Sequence, residues 1–326
     1  MQIHVAEKSG VGEARRIASE LSRVAGFDGD DVSRAALIAA ELATNLIKHA
    51  GGGDLFIGEF ADCDGSGIEL MSIDKGRGME DVGRCLRDGF STAGSPGTGL
   101  GAIARAADHF DYYSTVKLGT VFFARLVKQA AVAPRTALQI GSVVANYPGE
   151  LDCGDAWSVS AQHETLLVAD GLGHGTIAAA ASGMAREIFN KHAGEDCVAL
   201  MGRMHRALAP TRGAAVALAY IDRAHGMLRF VGVGNIAGSV VDETKLRKMV
   251  SHNGTAGHKA PNIAEFTYPF TGLPLVIMHS DGLSTRWEWD HYPGLSGRHA
   301  SVIAGVLFRD HNRHNDDATV LVVRAR

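Results

Sequence analysis

Thr165-Leu166-Leu167-Val168-Ala169-Asp170-Gly171 is a short apolar run that ends in an Asp-Gly pair, and the C-terminal half of the chain repeats the pattern. Leu275-Val276-Ile277-Met278-His279-Ser280 leads into Asp281-Gly282, and Asp316-Asp317 stands directly ahead of Ala318-Thr319-Val320-Leu321-Val322-Val323. Runs of this length and composition read as buried strands. The carboxylates then fall at strand ends, where one edge of a sheet can gather residues far apart in sequence. Hard divalent ions take oxygen ligands, and two of them can share a water whose lowered pKa makes it a nucleophile near neutral pH. Asp-Gly alone is a cheap turn signal, present here at Asp28, Asp64, Asp88, Asp170 and Asp281. From the residues alone, a gathered metal site and a set of independent turn aspartates explain the pattern equally well.

A different series occupies the N-terminal half. Glu41, Asn45 and Lys48 recur at i, i+4 and i+7, beside an apolar stripe of Ile38, Leu42 and Leu46. Asp74 ends a strand-like run and is followed by Gly76 and Gly78, a turn that lets backbone approach a flat ligand while the carboxylate accepts from an amine. Gly97-Thr98-Gly99-Leu100-Gly101 opens a helix, whose free N–H groups favour phosphate. A wet helix face and flexible glycine loops are the plain alternatives, since the chain has 40 glycines.

The chain has 326 residues, enough for two domains that each bury a core. A net charge of −4 gives no basic footprint of the kind a nucleic-acid binder needs. No apolar run approaches the ~20 residues of a membrane span, so a soluble, cytoplasmic protein without a membrane partner is expected. Cys63, Cys85, Cys153 and Cys197 are scattered and read as free thiols. His291, His299, His311 and His314 fall near one another without ligand spacing and read as solvated surface positions.

Periodicity lapses in VKQAAVAPRTA, residues 127–137, which places a linker over 131–138 between domains 1–130 and 139–326. Helices are expected over 12–25, 30–50, 178–192 and 197–208, with another after Gly101. Strands are expected over 54–61, 67–74, 120–127, 137–146, 214–222, 226–233, 273–279 and 318–323, with two more between Pro148 and Asp170.

In this order and spacing the three N-terminal segments resemble the ATP-binding boxes of the GHKL superfamily, over about residues 36–127. The segment Asp88-Gly89-Phe90-Ser91-Thr92-Ala93-Gly94 ahead of the third box resembles the stressosome switch kinase that phosphorylates STAS-domain proteins. The resemblance implies a Bergerat α/β sandwich binding ATP with Mg²⁺. Asn45 would hold Mg²⁺, Asp74 the adenine amine, and Gly97, Thr98, Gly99, Leu100 and Gly101 the phosphates. Gly76, Gly78 and Thr120 would line the adenine, Lys48 would reach a phosphate, and Glu41 would be the general base.

Cys153-Gly154-Asp155, Val168 to Gly175, Ser280-Asp281-Gly282-Leu283 and Asn315 to Val320 resemble the motifs of PPM-type serine/threonine phosphatases in their SpoIIE-like form, from about Gly141 onward. Gly234-Asn235 and Asn253 to Gly257 are similar to further segments of that family. The resemblance implies an α-β-β-α sandwich with two Mn²⁺ or Mg²⁺ ions held by Asp170, the Gly171 carbonyl, Asp281, Asp316 and Asp155, and a phosphate-facing or conformational role for His174. The usual Gly-Gly-Asp is Cys-Gly-Asp here, which makes oxidation sensitivity an expectation.

Together the resemblances imply a bifunctional kinase and phosphatase of a bacterial partner-switching pathway. Its partners would be STAS-domain anti-anti-sigma or stressosome scaffold proteins, with a sigma factor or downstream phosphatase as further candidates. A nucleotide-binding half that only sequesters a partner, or that senses ATP and gates the phosphatase, is the alternative.

Overall fold

The computed structural model describes residues 1–85, 99–128, 137–242, 245–260, 262–272 and 274–326, with residues 84 and 85 described in backbone only. In chain order the first elements are β1 (Gln2–Val5), α1 (Lys8–Val24), α2 (Gly29–Asn45), β2 (Gly53–Asp62), β3 (Gly65–Ile73), α3 (Val82–Cys85), α4 (Gly99–Ala106), β4 (His109–Thr115) and β5 (Gly119–Val127). Then come β6 (Leu138–Ala145), β7 (Asp155–Ser160), β8 (Thr165–Gly171), α5 (Gly175–His192), α6 (Cys197–Ala207), β9 (Ala214–Asp222) and β10 (Met227–Val233). The last are β11 (Ala237–Asp242), β12 (Lys245–Met249), β13 (Phe266–Pro269), β14 (Leu275–His279), α7 (Ala300–His311) and β15 (Ala318–Ala325). Contacts divide the chain into one unit of Met1–Pro134 with Gly297–Asp310 and another of Arg135–Ser296 with His311–Arg326. No helix among the described residues is long and apolar enough to cross a membrane.

The first unit is an antiparallel sheet in the order β1-β2-β3-β5-β4. Leu55, Ile57, Ile68, Leu70, Phe122 and Ala124 share a core with Ile17, Ile38, Leu42 and Ile103, so α1, α2 and α4 cover that face. Asp28 caps α2 by accepting from the amides of Asp30 and Asp31, a contribution of about 1 kcal/mol. The helix expected to reach Ala50 is α-helical only to Asn45, and Leu46–Ala50 winds as a π turn that ends at Gly51 in the left-handed region. Such turns widen the winding just where a helix meets a functional site.

Strand residues alternate between faces, and here the second face is buried as well: Met71, Val121 and Phe123 are 2 %, 0 % and 0 % exposed. Its cover is α7. Phe308 meets Phe56 edge-on at 5.5 Å, and the His299 ring stacks on Phe123 at 4.4 Å. A Cβ on Gly305 would overlap Met71 and Val121, so the glycine lets the helix lie close on the strands. Residues Ala300–Arg309 of α7 are buried without a polar face, as expected of a helix with no stripe turned to water.

The second unit holds two five-stranded sheets, β13-β10-β9-β8-β7 and β12-β11-β14-β15-β6. Leu166, Val168, Phe230, Val276, Met278 and Leu321 are part of the core between them. Leu167, Val216, Leu218 and Val231, on the opposite face of the first sheet, pack with Phe189, Leu200, Met201 and Met204 under α5 and α6. Asp196 caps α6. Among the strands of this unit, β11, β12 and β13 gave no periodic signal that the sequence reading recognised.

Candidate active sites

In the second unit the register places Asp155 directly opposite Asp170 across the β7–β8 pair. β14 and β15 run antiparallel with His279 opposite Val320. Asp281, just past the end of β14, and Asp316, just before β15, therefore emerge at the same edge. Asp170, Asp281 and Asp316 line one cleft with Tyr147, Leu172, Gly173, His174, Ala215, Asn235 and Asn315. Strand ends have done what the sequence pattern suggested, gathering carboxylates from segments about 150 residues apart.

Burial first, then the carboxylates of Asp155, Asp281, Asp316 and Asp317, push the Asp170 carboxyl well above the ordinary range. Asp281 rises for the same two reasons, burial and Asp316. Asp155 rises through burial, although Ser280 Oγ donates to its Oδ2 at 2.6 Å. Its Oδ1 is buried with no hydrogen-bond partner among the described residues. An orphaned carboxylate oxygen inside a cluster of like charges is what a cation would satisfy, and the all-oxygen donor set suits Mg²⁺ or Mn²⁺. Asp317, adjacent in sequence to Asp316, is spent on structure: its oxygens accept from the amides of Tyr147 at 2.7 Å and Gly154 at 2.9 Å.

Supporting groups surround the cleft. Asn235 Nδ2 donates to Asp281 Oδ2 at 2.6 Å. His174 precedes α5, its Nδ1 lies 2.8 Å from Glu150 Oε1, and its ring stacks on Tyr147 at 4.5 Å. The sequence gives no motif signal for Tyr147 and Glu150, which are found only once the loop after β6 is seen to meet the start of α5, and Ser280, though inside the Ser280–Leu283 motif, shows its role only through its bond to Asp155. Cys153 departs from expectation: burial, then Asp155 and Asp317, hold its thiol far above the usual value, so reactive thiolate is scarce.

Among the described residues, the tightest knot of metal-type donors is elsewhere, at Asp62, Asp64 and His299 of the first unit. Arg125, 1 % exposed, fills it: Nη1 lies 2.9 Å from Asp62 and 3.6 Å from Asp64, and Nη2 lies 2.9 Å from Glu69. The guanidinium supplies the positive charge there. His299 was expected on the surface; it is instead a largely covered anchor at the start of α7, with Nε2 3.2 Å from Asp64 and its ring against Phe123.

The first unit also brings its boxes together. A Cβ on Gly99 would lie 3.0 Å from Glu41 Oε2 and 3.8 Å from Asn45 Oδ1, so the start of α4 abuts the end of α2. Asn45 Nδ2 is buried without a hydrogen-bond partner among the described residues, whereas Lys48 is exposed. The orphaned amide suits a phosphate oxygen or, turned over, a metal ion. Asp74 Oδ1 accepts from Gly76 N at 2.8 Å and from Thr120 N at 3.2 Å, and burial raises its pKa against those two bonds. Ser114 Oγ lies 2.9 Å from Thr120 Oγ1 and accepts from Met79 N, tying the glycine turn to β4 and β5. A Cβ on Gly76 would crowd Ala50, and Leu100 and Gly101 follow Gly99 in α4. Gly97, Thr98 and the segment 88–94 lie outside the described residues.

Comparison with known proteins matches residues 5–125 to the histidine kinase-like ATPase domain family and residues 160–326 to the stage II sporulation protein E (SpoIIE) family. The chain is 34% identical over 107 residues to the serine/threonine-protein kinase RsbT of Bacillus subtilis (strain 168), covering 33% of this chain and 80% of that relative. It is 30% identical over 182 residues to the phosphoserine phosphatase RsbX of the same organism, covering 54% and 89%. A solved structure described as "The bacterial stressosome: a modular system that has been adapted to control secondary messenger signaling" aligns with 27% identity and a TM-score of 0.53, over 57% of this chain and 99% of that one. A crystal structure of RsbX in complex with magnesium shares the fold, with 23% identity and a TM-score of 0.52 over 58% and 96%.

Proposed function

We propose that this chain, which belongs to the SpoIIE family and carries a histidine kinase-like ATPase domain ahead of that family's phosphatase fold, is a bifunctional partner-switching regulator. Its first unit transfers phosphate from ATP to a serine or threonine of a STAS-domain protein, and its second removes such phosphates. The observation that carries the reading is the cleft where Asp170, Asp281 and Asp316 converge beside the start of α5. The kinship with a kinase named RsbT and a phosphatase named RsbX supports the pairing of activities, and the stressosome structure supports the setting.

In the second unit, Asp170, the Gly171 carbonyl, Asp281, Asp316 and Asp155 would hold two divalent ions, in keeping with the magnesium complex of RsbX. Bound there, such ions would supply Lewis acidity and a water acidic enough to attack phosphorus near neutral pH. The protein's own groups set the geometry. Asn235 and Ser280 orient Asp281 and Asp155, and Asp317 clamps the Tyr147 and Gly154 backbone against the cluster. His174, steadied by Glu150 and Tyr147, would approach the phosphate or hold the start of α5 in shape.

In the first unit, Asp74 would take the adenine amine, and Asn45 the Mg²⁺–phosphate group together with the glycines of residues 97–101. Lys48 would reach a phosphate from its exposed position, and Thr120 would lie beside the base. Glu41, against the start of α4, would accept the proton of the attacking hydroxyl. The test is incubation of the full chain with Mg²⁺, Mn²⁺, labelled ATP and STAS proteins of the same genome. Asp170→Ala should accumulate phosphorylated STAS protein, wild type should accumulate less, and Glu41→Ala none. A stable complex formed with ATP but without phosphate transfer would make the first unit a binding or sensing module.

A further inference from the structure

Large apolar side chains left in water are ordinary when scattered, and those of the second unit are not scattered. Among its described residues four are exposed, and three of them, Leu151, Leu172 and Ile177, at 94 %, 52 % and 53 %, belong to segments that meet at the start of α5. Leu172 lines the cleft itself. Ile177 stands in the first turn of α5. Leu151 lies between Glu150, whose carboxylate meets His174, and Asp152, which accepts from Thr176 Oγ1 at 2.9 Å. The fourth, Val250, follows β12 at the edge of the other sheet.

The backbone that presents these side chains is pinned. Asn146 Nδ2 donates to the carbonyls of Glu150 at 3.3 Å and Leu151 at 2.8 Å, and Glu150 N donates to Tyr147 O at 3.0 Å. Leu172 N donates to Gly213 O at 3.0 Å, and Gly213 N donates to Thr211 Oγ1 at 2.9 Å. The same tie brings Arg212 to the rim: a Cβ on Gly173 would lie 3.3 Å from Arg212 Nη1, so the glycine leaves room for the guanidinium. Arg212 is exposed and makes no hydrogen bond or ion pair among the described residues. A fork of uncommitted donors thus stands beside an apolar surface, and groups held in place in advance lose little entropy on binding.

We propose that this rim is the substrate-docking face of the cleft, fitted to a phosphorylated segment whose phosphoserine or phosphothreonine is flanked by aliphatic side chains. The inference rests on the phosphatase reading of the second unit and adds which sequences that cleft takes. Two observations select the occupant: the apolar surface is continuous with the cleft through Leu172, and the uncommitted charge of Arg212 is complementary to a phosphoryl dianion. Successive residues of an extended chain lie about 3.3–3.6 Å apart, so the neighbours of a phosphoserine seated in the cleft fall on whatever rims it. Aliphatic neighbours would remove Leu151, Leu172 and Ile177 from water, whereas amide side chains would lose hydration there without gaining partners. Arg212 would take phosphoryl oxygens through its planar fork. Glu150 and Asp152, already engaged by His174 and Thr176, would disfavour an acidic flank.

For the test, the full chain with Mn²⁺ is given two short peptides that share a central phosphoserine, flanked on both sides by leucine in one and by asparagine in the other, with p-nitrophenyl phosphate as a third substrate. kcat/KM should favour the leucine peptide about tenfold or more. Fluorescence anisotropy of the labelled peptides on Asp170→Asn, which turns neither over, should rank them in the same order. A double variant, Leu151→Ser with Ile177→Ser, alters only exposed side chains and should lose most of the preference while p-nitrophenyl phosphate turnover stays at the wild-type level. Arg212→Ala should raise KM for both peptides about tenfold with kcat changed far less, and Arg212→Lys should recover only part of the loss. Equal kcat/KM for the two peptides in wild type, or a preference that survives the double variant, overturns the docking face. An Arg212→Ala protein with wild-type KM overturns the part given to the guanidinium. Self-association of wild type in sedimentation that the double variant abolishes, with the peptide preference intact, gives the patch to a second copy of the chain and overturns the proposal. A wild type that hydrolyses none of the three substrates overturns the phosphatase reading and the docking face together.

Discussion

Asp74 and Asp170 are both half-buried carboxylates at strand ends, and desolvation raises the pKa of each, yet their surroundings are opposite. Asp74 is met by two backbone N–H groups and, farther off, by the favourable charge of Arg309. Asp170 is met by four other carboxylates. The first is already solvated by its own chain and keeps capacity for a neutral donor such as an exocyclic amine. The second is an unbalanced charge that only protons or cations relieve. The difference shows how one residue type, in one kind of location, meets opposite electrostatics, suited on the proposed reading to a base amine in one unit and to cations in the other.

The largest effect that would break this contrast is at Asp170. Asp170→Asn should abolish p-nitrophenyl phosphate turnover by more than the roughly 10–100-fold that loss of an outer-shell partner costs. In EDTA, though, it should raise the melting temperature by about 2–4 °C for each kcal/mol of repulsion removed. Stabilisation without activity is the signature of a like-charge cluster, and a destabilised variant would refute it. Next, Ser280→Ala, which frees Asp155 Oδ2, should cost about 10–100-fold in turnover or Mn²⁺ affinity by metal titration. Asp74→Asn should weaken ADP binding by about 10–100-fold, the worth of a hydrogen bond to a charged group, and leave turnover without nucleotide at the wild-type level.

The same contrast predicts a pH dependence. In metal-free protein the folded Asp170 binds its proton more tightly than the unfolded chain does. Its contribution to stability is therefore full below the unfolded value of about 4 and is lost as pH rises toward the raised folded value. Added Mn²⁺ should reverse that slope, as melting curves between pH 5 and 8 would show. The smallest effect concerns His299, whose pKa is lowered by burial despite Asp64. Its contribution is present above the unfolded value of about 6.5 and fades as pH falls below it. His299→Phe, which keeps the stack on Phe123, should flatten the acid side of the stability curve.

Much of this was legible in the chain. Apolar runs ending in Asp-Gly located β8 and β14, and Asp316 stood ahead of β15 because strand residues and turn residues differ so sharply in composition. The helix bearing Glu41 and Asn45 announced itself by its cap and stripe. What stayed hidden has one physical cause, that a side chain's partner need not share its segment. Glu150 matters only because it meets His174, and Asp317 differs from Asp316 only in finding two amides. Helix α7 was invisible to a search for amphipathic periodicity because it has no polar face to contrast with its apolar one. The run Gly119–Val127, apolar but for Thr120 and Arg125, was the available hint that the sheet has covers on both sides.

That second cover has a consequence for how the protein is made. Phe56, Met71, Val121 and Phe123 are synthesised early, but the helix that shields them emerges from the ribosome only after more than 170 further residues. Until then the nascent first unit presents a sheet with one apolar face open to water, the kind of surface on which folding intermediates aggregate or engage chaperones. The contact is also of high sequence separation, which slows closure. Severing the chain at residues 131–138 would leave an N-terminal fragment in that condition permanently. Such a fragment should be poorly soluble alone and be rescued by co-expression with the remainder.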